Sequence, residues 1–176
     1  MFRQAGSVFS FLTIIPAGSS DLQTIAKHMY LFPLIGIAIG LLLGAAGWGL
    51  SLFLEPLVVG LLVAAGLVLI TGIHHTDGLS DFADGLMVKG SREKKLEVMR
   101  DPKVGSAGIV AVIFYVAAAI ISLSLMKGFE LFYAILIAEV CAKFCMVLSA
   151  SIGPSAWQGS NSSFIESMKE IGRAHV

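Results

Sequence analysis

Charged residues are scarce in this chain of 176 residues. Asp, Glu, Lys and Arg make up 14% of it, against roughly a quarter of an ordinary soluble domain. Three stretches, 30–54, 56–73 and 107–126, contain no charged residue, and each is near the roughly 20 residues that cross a bilayer. A fourth, 131–152, carries only Glu139 and Lys143. The composition excludes an ordinary soluble protein and predicts an all-α, polytopic integral membrane helical bundle.

Other features are also missing. The two cysteines, Cys141 and Cys145, cannot build a disulfide framework, and the chain has neither a Walker-type phosphate loop nor an internal repeat. Twelve basic and twelve acidic residues cancel, so the net charge says nothing about nucleic acid. We expect no nucleic-acid partner. The lipid bilayer is the partner that the composition predicts.

The two ends of the chain are distinct from its long apolar stretches. Met1–Pro16 is apolar but leads into polar residues rather than a small-residue cleavage site, so we predict an N-terminal interfacial or re-entrant helix. Residues 159–163 are predicted to form a loop. Residues 1–170 are interpreted as a single membrane-embedded domain. Residues 171–176 resemble one translated frame of a sequencing adapter, and we interpret them as a non-native tail from a sequencing artefact.

Glycines recur at intervals of three and four along the first apolar stretch, at positions 36, 40, 44 and 47. Such a small-residue ridge lets a neighbouring helix approach closely. We expect it to serve helix packing.

The most informative residues are three aspartates, Asp77, Asp81 and Asp84, in a polar run that we expect to continue the second apolar helix. Their offsets of four and three place them on one helix face. Like charges stacked there repel one another, so a cation should lie between them. Carboxylates without clustered cysteine or histidine select hard cations, which predicts a Mg²⁺ site, with Mn²⁺ as the alternative metal.

Small and basic residues surround this motif. Gly78 and Gly85 would leave room beside the aspartates for a bulky anionic substrate, and His75 would orient a ligand, bind substrate or cap the helix. Downstream, a loop combines cations with glycines before the third apolar stretch, and such a loop can hold a diphosphate. Its residues Arg100, Asp101, Lys103 and Gly105 are the candidate substrate contacts. For the charged pair Glu139 and Lys143, mutual neutralisation and a functional role both stay open.

The aspartate run 75–85, together with Val98–Gly108, resembles the cobalamin synthase family, and 11–16 and 32–36 agree with that family's N-terminal signature and first long span. The likeness extends to about residue 170. Ile14 and Lys143 stand where the family commonly has arginine. The family normally continues for several more helices, so 1–170 is interpreted as an incomplete transferase domain.

The resemblance implies an adenosylcobinamide-GDP ribazoletransferase, a membrane phosphotransferase of late cobalamin (vitamin B12) assembly. It would join α-ribazole, or its 5′-phosphate, to adenosylcobinamide-GDP and release GMP. Carboxylate-held Mg²⁺ beside basic residues is also what phosphoryl transfer requires on physical grounds. Asp77, Asp81 and Asp84 would bind the metal and, with His75, form the catalytic set. The oligomeric state is open, a homo-oligomer included.

Two other functions compete with this one. A CDP-alcohol phosphotransferase of phospholipid synthesis also uses aspartates on membrane helices, but its aspartates are more widely spaced. A cation transporter would place carboxylates at mid-bilayer with few basic neighbours, whereas a cationic segment follows these aspartates.

Six of the twelve Lys and Arg residues lie between Lys89 and Lys103. The positive-inside rule therefore predicts a multi-pass protein of the cell membrane with both termini and the active-site loop in the cytoplasm. A cysteine introduced by Ser91→Cys, with Cys141 and Cys145 replaced by alanine, should resist impermeant thiol reagents in intact cells. It should react in inverted vesicles, and labelling from outside the cell would contradict this topology.

Overall fold

A computed structural model describes residues 2–156 and 159–174. Within these ranges every regular element is a helix. The helices are α1 (Phe2–Leu12), α2 (Leu22–Lys27), α3 (Phe32–Leu50), α4 (Pro56–Ile70), α5 (His74–Met87), α6 (Arg92–Val98), α7 (Ser106–Ser124), α8 (Gly128–Ile152) and α9 (Ser160–Ala174), and a 3₁₀ turn, Met29–Leu31, precedes α3. The all-α prediction is confirmed.

Three helical segments among the described residues are long and apolar enough to cross a membrane: Met29–Leu50, Ser106–Ser124 and Gly128–Ile152. A fourth crossing requires α4 and α5 together, and these two helices are bent by 91° at the break between them. The polytopic membrane fold predicted from composition is thus confirmed.

The break between α4 and α5 corrects one expectation, because the aspartate motif does not continue the apolar helix. The helix ends at Thr71, whose backbone N–H and side-chain hydroxyl both donate to the carbonyl of Leu67, at 3.1 and 2.7 Å. Gly72 follows with φ +70°, a left-handed conformation that glycine adopts without steric cost and that commonly ends helices. The chain then restarts as a separate polar helix, α5.

The chain divides into two compact units, 1–48 with 129–176, and 49–128. The single-domain organisation stays a prediction. In the first unit, α3 packs on α8 through its glycines. A Cβ added to Gly36 would lie 2.7 Å from the carbonyl oxygen of Glu139, and one added to Gly40 would lie 2.8 Å from Cα of Leu136. The prediction that this glycine ridge serves helix packing is therefore confirmed at Gly36 and Gly40.

The buried ion pair of α8 lies on the same helix surface. Nζ of Lys143 is 3.3 Å from Oε2 of Glu139, and Lys143 is only 1% exposed. A Cβ on Gly36 would also meet Cγ of Lys143 at 3.1 Å. The two charges therefore neutralise each other within the helix packing of this unit.

The last helix, α9, differs from the loop predicted at 159–163, since helix begins at Ser160. The hydroxyl of Ser162 donates to the carbonyl of Gly159 at 2.6 Å, and Phe164 is buried against Phe11 and Phe32. Tertiary burial of this aromatic ring stabilises a helix that the polar sequence does not suggest. Of the interpreted artefactual tail, His175 and Val176 lie outside the described residues.

The second unit contains the aspartate helix. Within it α7 packs against both α4 and α5, and α6 packs against α5. A Cβ on Gly60 of α4 would lie 2.6 Å from the carbonyl oxygen of Ile120 on α7. Close helix contacts through glycine thus occur in both units.

Alanine at Gly40 should lower the thermal stability of the protein in detergent, because its Cβ would press on the backbone of α8. Overpacking of this kind costs about 1–3 kcal/mol. Gly49 of the same helix is the matched control, since a Cβ there meets nothing within 4 Å. Gly49→Ala should be neutral or stabilising by about 0.5–1 kcal/mol, and equal melting temperatures for the two variants would contradict the packing role.

Candidate active site

The three predicted metal ligands all lie on α5, but their surroundings differ. Asp77 is exposed, Asp81 is half-buried and Asp84 is 8% exposed. The carboxylates of Asp77 and Asp84 flank Asp81 on the same helix, four residues before it and three after it. The helix therefore holds negative charges close enough to repel one another, as the spacing predicted.

Asp84 is satisfied by backbone groups of the next membrane helix. Its Oδ2 accepts a hydrogen bond from the N–H of Gly105 at 2.7 Å, and its Oδ1 accepts one from the N–H of Gly108 at 2.8 Å. Gly105 is the N-cap residue of α7 and Gly108 lies in its first turn, where N–H groups lack intrahelical partners and the helix dipole is positive. Hydrogen bonds to a charged group contribute about 1.5–3 kcal/mol each, so the contact holds α5 and α7 together.

Glycines make this contact possible from the side of α7. A Cβ on Gly105 would collide with the carboxylate of Asp84, and a Cβ on Gly108 would collide with the hydroxyl of Ser80. Ser80 is itself buried, and its Oγ has no hydrogen-bond partner in the part of the chain that the structure describes. Ser80 and Gly108 were not among the site residues predicted from the sequence. Ser80 lies four residues before Asp84 on the same face of α5, and Gly108 lies three residues after Gly105.

The two glycines of the aspartate motif have different surroundings. A Cβ on Gly78 would meet nothing within 4 Å, so the space that the sequence predicted beside Asp77 is open. At Gly85 the space is filled, because the side chain of Met99 and the carbonyl oxygen of Lys95, at 3.0 Å, would meet a Cβ there. The close approach at Gly85 is therefore a packing contact between α5 and α6, which differs from the room for substrate that we expected.

The cationic connection between α6 and α7 is exposed. Arg100, Asp101 and Lys103 are all on the surface. Oδ1 of Asp101 accepts a hydrogen bond from the N–H of Lys103 at 3.0 Å, a side-chain turn that stabilises the chain reversal. The N–H of Gly105 is used by Asp84. The two cationic side chains are consequently the groups of this loop best suited to bind an anion.

His75 lies in the first turn of α5 and is exposed. The neighbouring hydroxyl of Thr76 donates to the carbonyl of Ile73 at 2.6 Å, and the N–H of Asp77 donates to the same carbonyl at 2.9 Å. These bonds fix the start of the helix about two turns before Asp81. The roles predicted for His75 stay predictions.

The donor set fits a hard divalent cation at Asp77 and Asp81. Their carboxylates are accessible or partly so, they lie one helical turn apart, and their charges repel in the absence of a cation. Asp84 is already satisfied by two N–H groups. Among the described residues no three His, Cys, Asp or Glu side chains form a group that could hold a metal, so a metal here would need further ligands from substrate and water.

The chain is similar to known proteins over most of its length. Residues 4–176 match the family model of cobalamin-5-phosphate synthase. An adenosylcobinamide-GDP ribazoletransferase of Methanocella arvoryzae is 36% identical over 93% of the chain and 63% of the relative. One of Pyrococcus abyssi is 35% identical over 92% of the chain and 66% of the relative. The chain thus spans just under two thirds of the length of these relatives, and no solved structure matches it significantly.

Proposed function

Because the chain belongs to the cobalamin-5-phosphate synthase family, we propose that it joins α-ribazole, or its 5′-phosphate, to adenosylcobinamide-GDP and releases GMP. The observation that carries this proposal is the connection between α5 and α7. Two acidic side chains, Asp77 and Asp81, lie on a helix that Asp84 ties to the start of α7, directly after the cationic loop. Carboxylates and cations are thereby held within one compact unit of the chain.

The reaction is a phosphoryl transfer. A ribose hydroxyl of the acceptor attacks the cobinamide-linked phosphorus of the diphosphate, the bond from that phosphorus to the bridging oxygen breaks, and GMP leaves with that oxygen. Catalysis of such a step rests on positioning and on stabilising charge on the phosphoryl oxygens. The enzyme therefore needs cations near the diphosphate and an acceptor for the proton of the hydroxyl.

Asp77 and Asp81 would hold Mg²⁺, or Mn²⁺, which supplies positive charge to the diphosphate oxygens when bound. His75, exposed in the first turn of α5, would accept the proton of the attacking hydroxyl, and Asp77 is the alternative base. The open space beside Gly78 leaves room for a large substrate. Arg100 and Lys103 would bind the diphosphate through charge-assisted hydrogen bonds. The positive-inside rule supports a cytoplasmic position for this loop.

Membranes containing the protein should release GMP from adenosylcobinamide-GDP when α-ribazole and Mg²⁺ are supplied. GMP formation, followed chromatographically, should require both additions and stop when EDTA is added, because the reaction needs the acceptor and the metal. Membranes without the protein are the control. Absence of GMP under these conditions would contradict the proposed activity.

Arg100→Lys should raise the apparent KM for adenosylcobinamide-GDP or lower kcat by roughly tenfold, which corresponds to about 1.4 kcal/mol of lost phosphate contact. Lysine keeps the charge but not the two-pronged geometry of a guanidinium. Arg92→Lys, at an exposed position of α6, is the matched control and should leave the kinetics unchanged. Unchanged kinetics in the Arg100 variant would remove this residue from the substrate site.

A further inference from the structure

We propose that Asp84 is a positioning residue, which clamps the start of α7 and the cationic loop to α5, and that of the three aspartates on α5 only Asp77 and Asp81 bind the metal. The clamp itself follows from the geometry. Its consequence for catalysis rests on the proposed function. Two aspartates of the motif thus bind a ligand, and the third organises the site.

The orientation of the Asp84 side chain is the first observation. Each carboxylate oxygen accepts a backbone N–H of α7, at 2.7 Å from Gly105 and 2.8 Å from Gly108, and the residue is 8% exposed. A carboxylate held by two N–H groups is directed at those donors. Asp77 and Asp81 have greater exposure and lie on turns of α5 nearer to its N-terminus.

The second observation comes from α7. The backbone of Gly105 has φ −90° and ψ 170°, an extended conformation that any residue adopts, so glycine is not needed there for its backbone freedom. It is needed for space, because a Cβ at this position would lie 2.7 Å from Cγ of Asp84. A Cβ on Gly108 would lie 2.6 Å from Oδ2 of Asp84. The first turn of α7 thus accommodates this carboxylate at two separate positions.

Two aspartates are sufficient for a metal of this kind. Mg²⁺ is commonly bound by one or two carboxylates, with substrate phosphates and water completing its octahedral shell. A diphosphate substrate supplies such oxygens. Asp77 and Asp81, together with oxygens of the substrate and of water, can therefore complete the coordination of Mg²⁺ without Asp84.

The clamp also sets the position of the cationic loop. Gly105 is two residues after Lys103 and five after Arg100, and the turn between them is closed by the bond from Lys103 N–H to Asp101. Fixing the N–H of Gly105 on α5 therefore limits where both cations can lie relative to Asp77 and Asp81. Loss of the clamp should weaken diphosphate binding and leave metal binding intact.

Metal affinity separates the two roles without any need for turnover. The variants Asp77→Asn, Asp81→Asn and Asp84→Asn would each be purified in detergent. Their Mn²⁺ affinities would be compared with that of the unmodified protein by measuring free Mn²⁺ with EPR. Asp77→Asn and Asp81→Asn should each weaken Mn²⁺ binding tenfold or more, and Asp84→Asn should change it less than twofold. If Asp84→Asn weakens Mn²⁺ binding as much as the other two substitutions do, Asp84 is a metal ligand and not a positioning residue. If the unmodified protein does not bind Mn²⁺, the two-aspartate metal site is wrong. The clamp is then decided by the double-mutant cycle described next.

A double-mutant cycle tests the clamp by thermal unfolding. Asp84→Asn replaces one accepting oxygen with an NH₂ donor, and Gly105→Ala pushes a Cβ into the same carboxylate. Since both break one contact, the double variant should lose no more stability than the more damaging single variant. Additive losses would overturn the clamp. Ser80→Ala is the matched control, because its buried hydroxyl has no hydrogen-bond partner to lose among the described residues, and it should keep or raise the melting temperature.

The kinetic test distinguishes positioning from stability alone. At saturating Mg²⁺, Asp84→Asn should raise the apparent KM for adenosylcobinamide-GDP by about tenfold with a smaller change in kcat. Arg92→Lys, at the exposed position of α6, should leave both constants unchanged. A fall in kcat at unchanged KM would overturn the positioning role. If the unmodified protein shows no turnover, the result counts against the proposed function, and the double-mutant cycle still decides whether the clamp exists.

Discussion

The carboxylate of Asp84 and the first turn of α7 form the contact on which the second unit of the chain depends. It joins the helix that carries the acidic residues to the helix that follows the cationic loop. A buried charge is costly unless hydrogen bonds satisfy it. Here the two N–H groups and the positive end of the helix dipole satisfy it. Because its donors are backbone groups, the contact fixes the position of the chain itself.

The chain deals with acidic groups in apolar surroundings in three ways. Glu139 is paired with Lys143 at 3.3 Å and buried against α3, where the two charges neutralise each other. Asp84 is satisfied by backbone N–H groups. Asp77 and Asp81 have more exposure and repel each other, so a cation would stabilise them most.

The bend between α4 and α5 lets an acidic helix follow an apolar helix. Ionised carboxylates within hydrocarbon are expensive, and a straight continuation of α4 would carry three aspartates along the same axis. Gly72, with its positive φ, ends the apolar helix and changes the chain direction by 91° over a few residues. α5 then packs on α7 through Ser80 and Asp84, and on α6 through Gly85. Small residues thus permit both the turn and the contacts that follow it.

Local patterns in the sequence were sufficient for the fold class, the approximate limits of the long helices and the acidic motif, because apolar length and residue spacing reflect the bilayer and the helix repeat directly. They did not reveal the turn at Gly72 or the helix at 160–174. They also did not reveal the hydrogen bonds that Asp84 accepts from residues 21 and 24 positions later in the chain. Those features depend on which helices pack together. Spacing shows that three aspartates share a helix face, but only the tertiary structure shows that the N-terminus of α7 occupies one end of it, since that contact joins residues far apart in sequence.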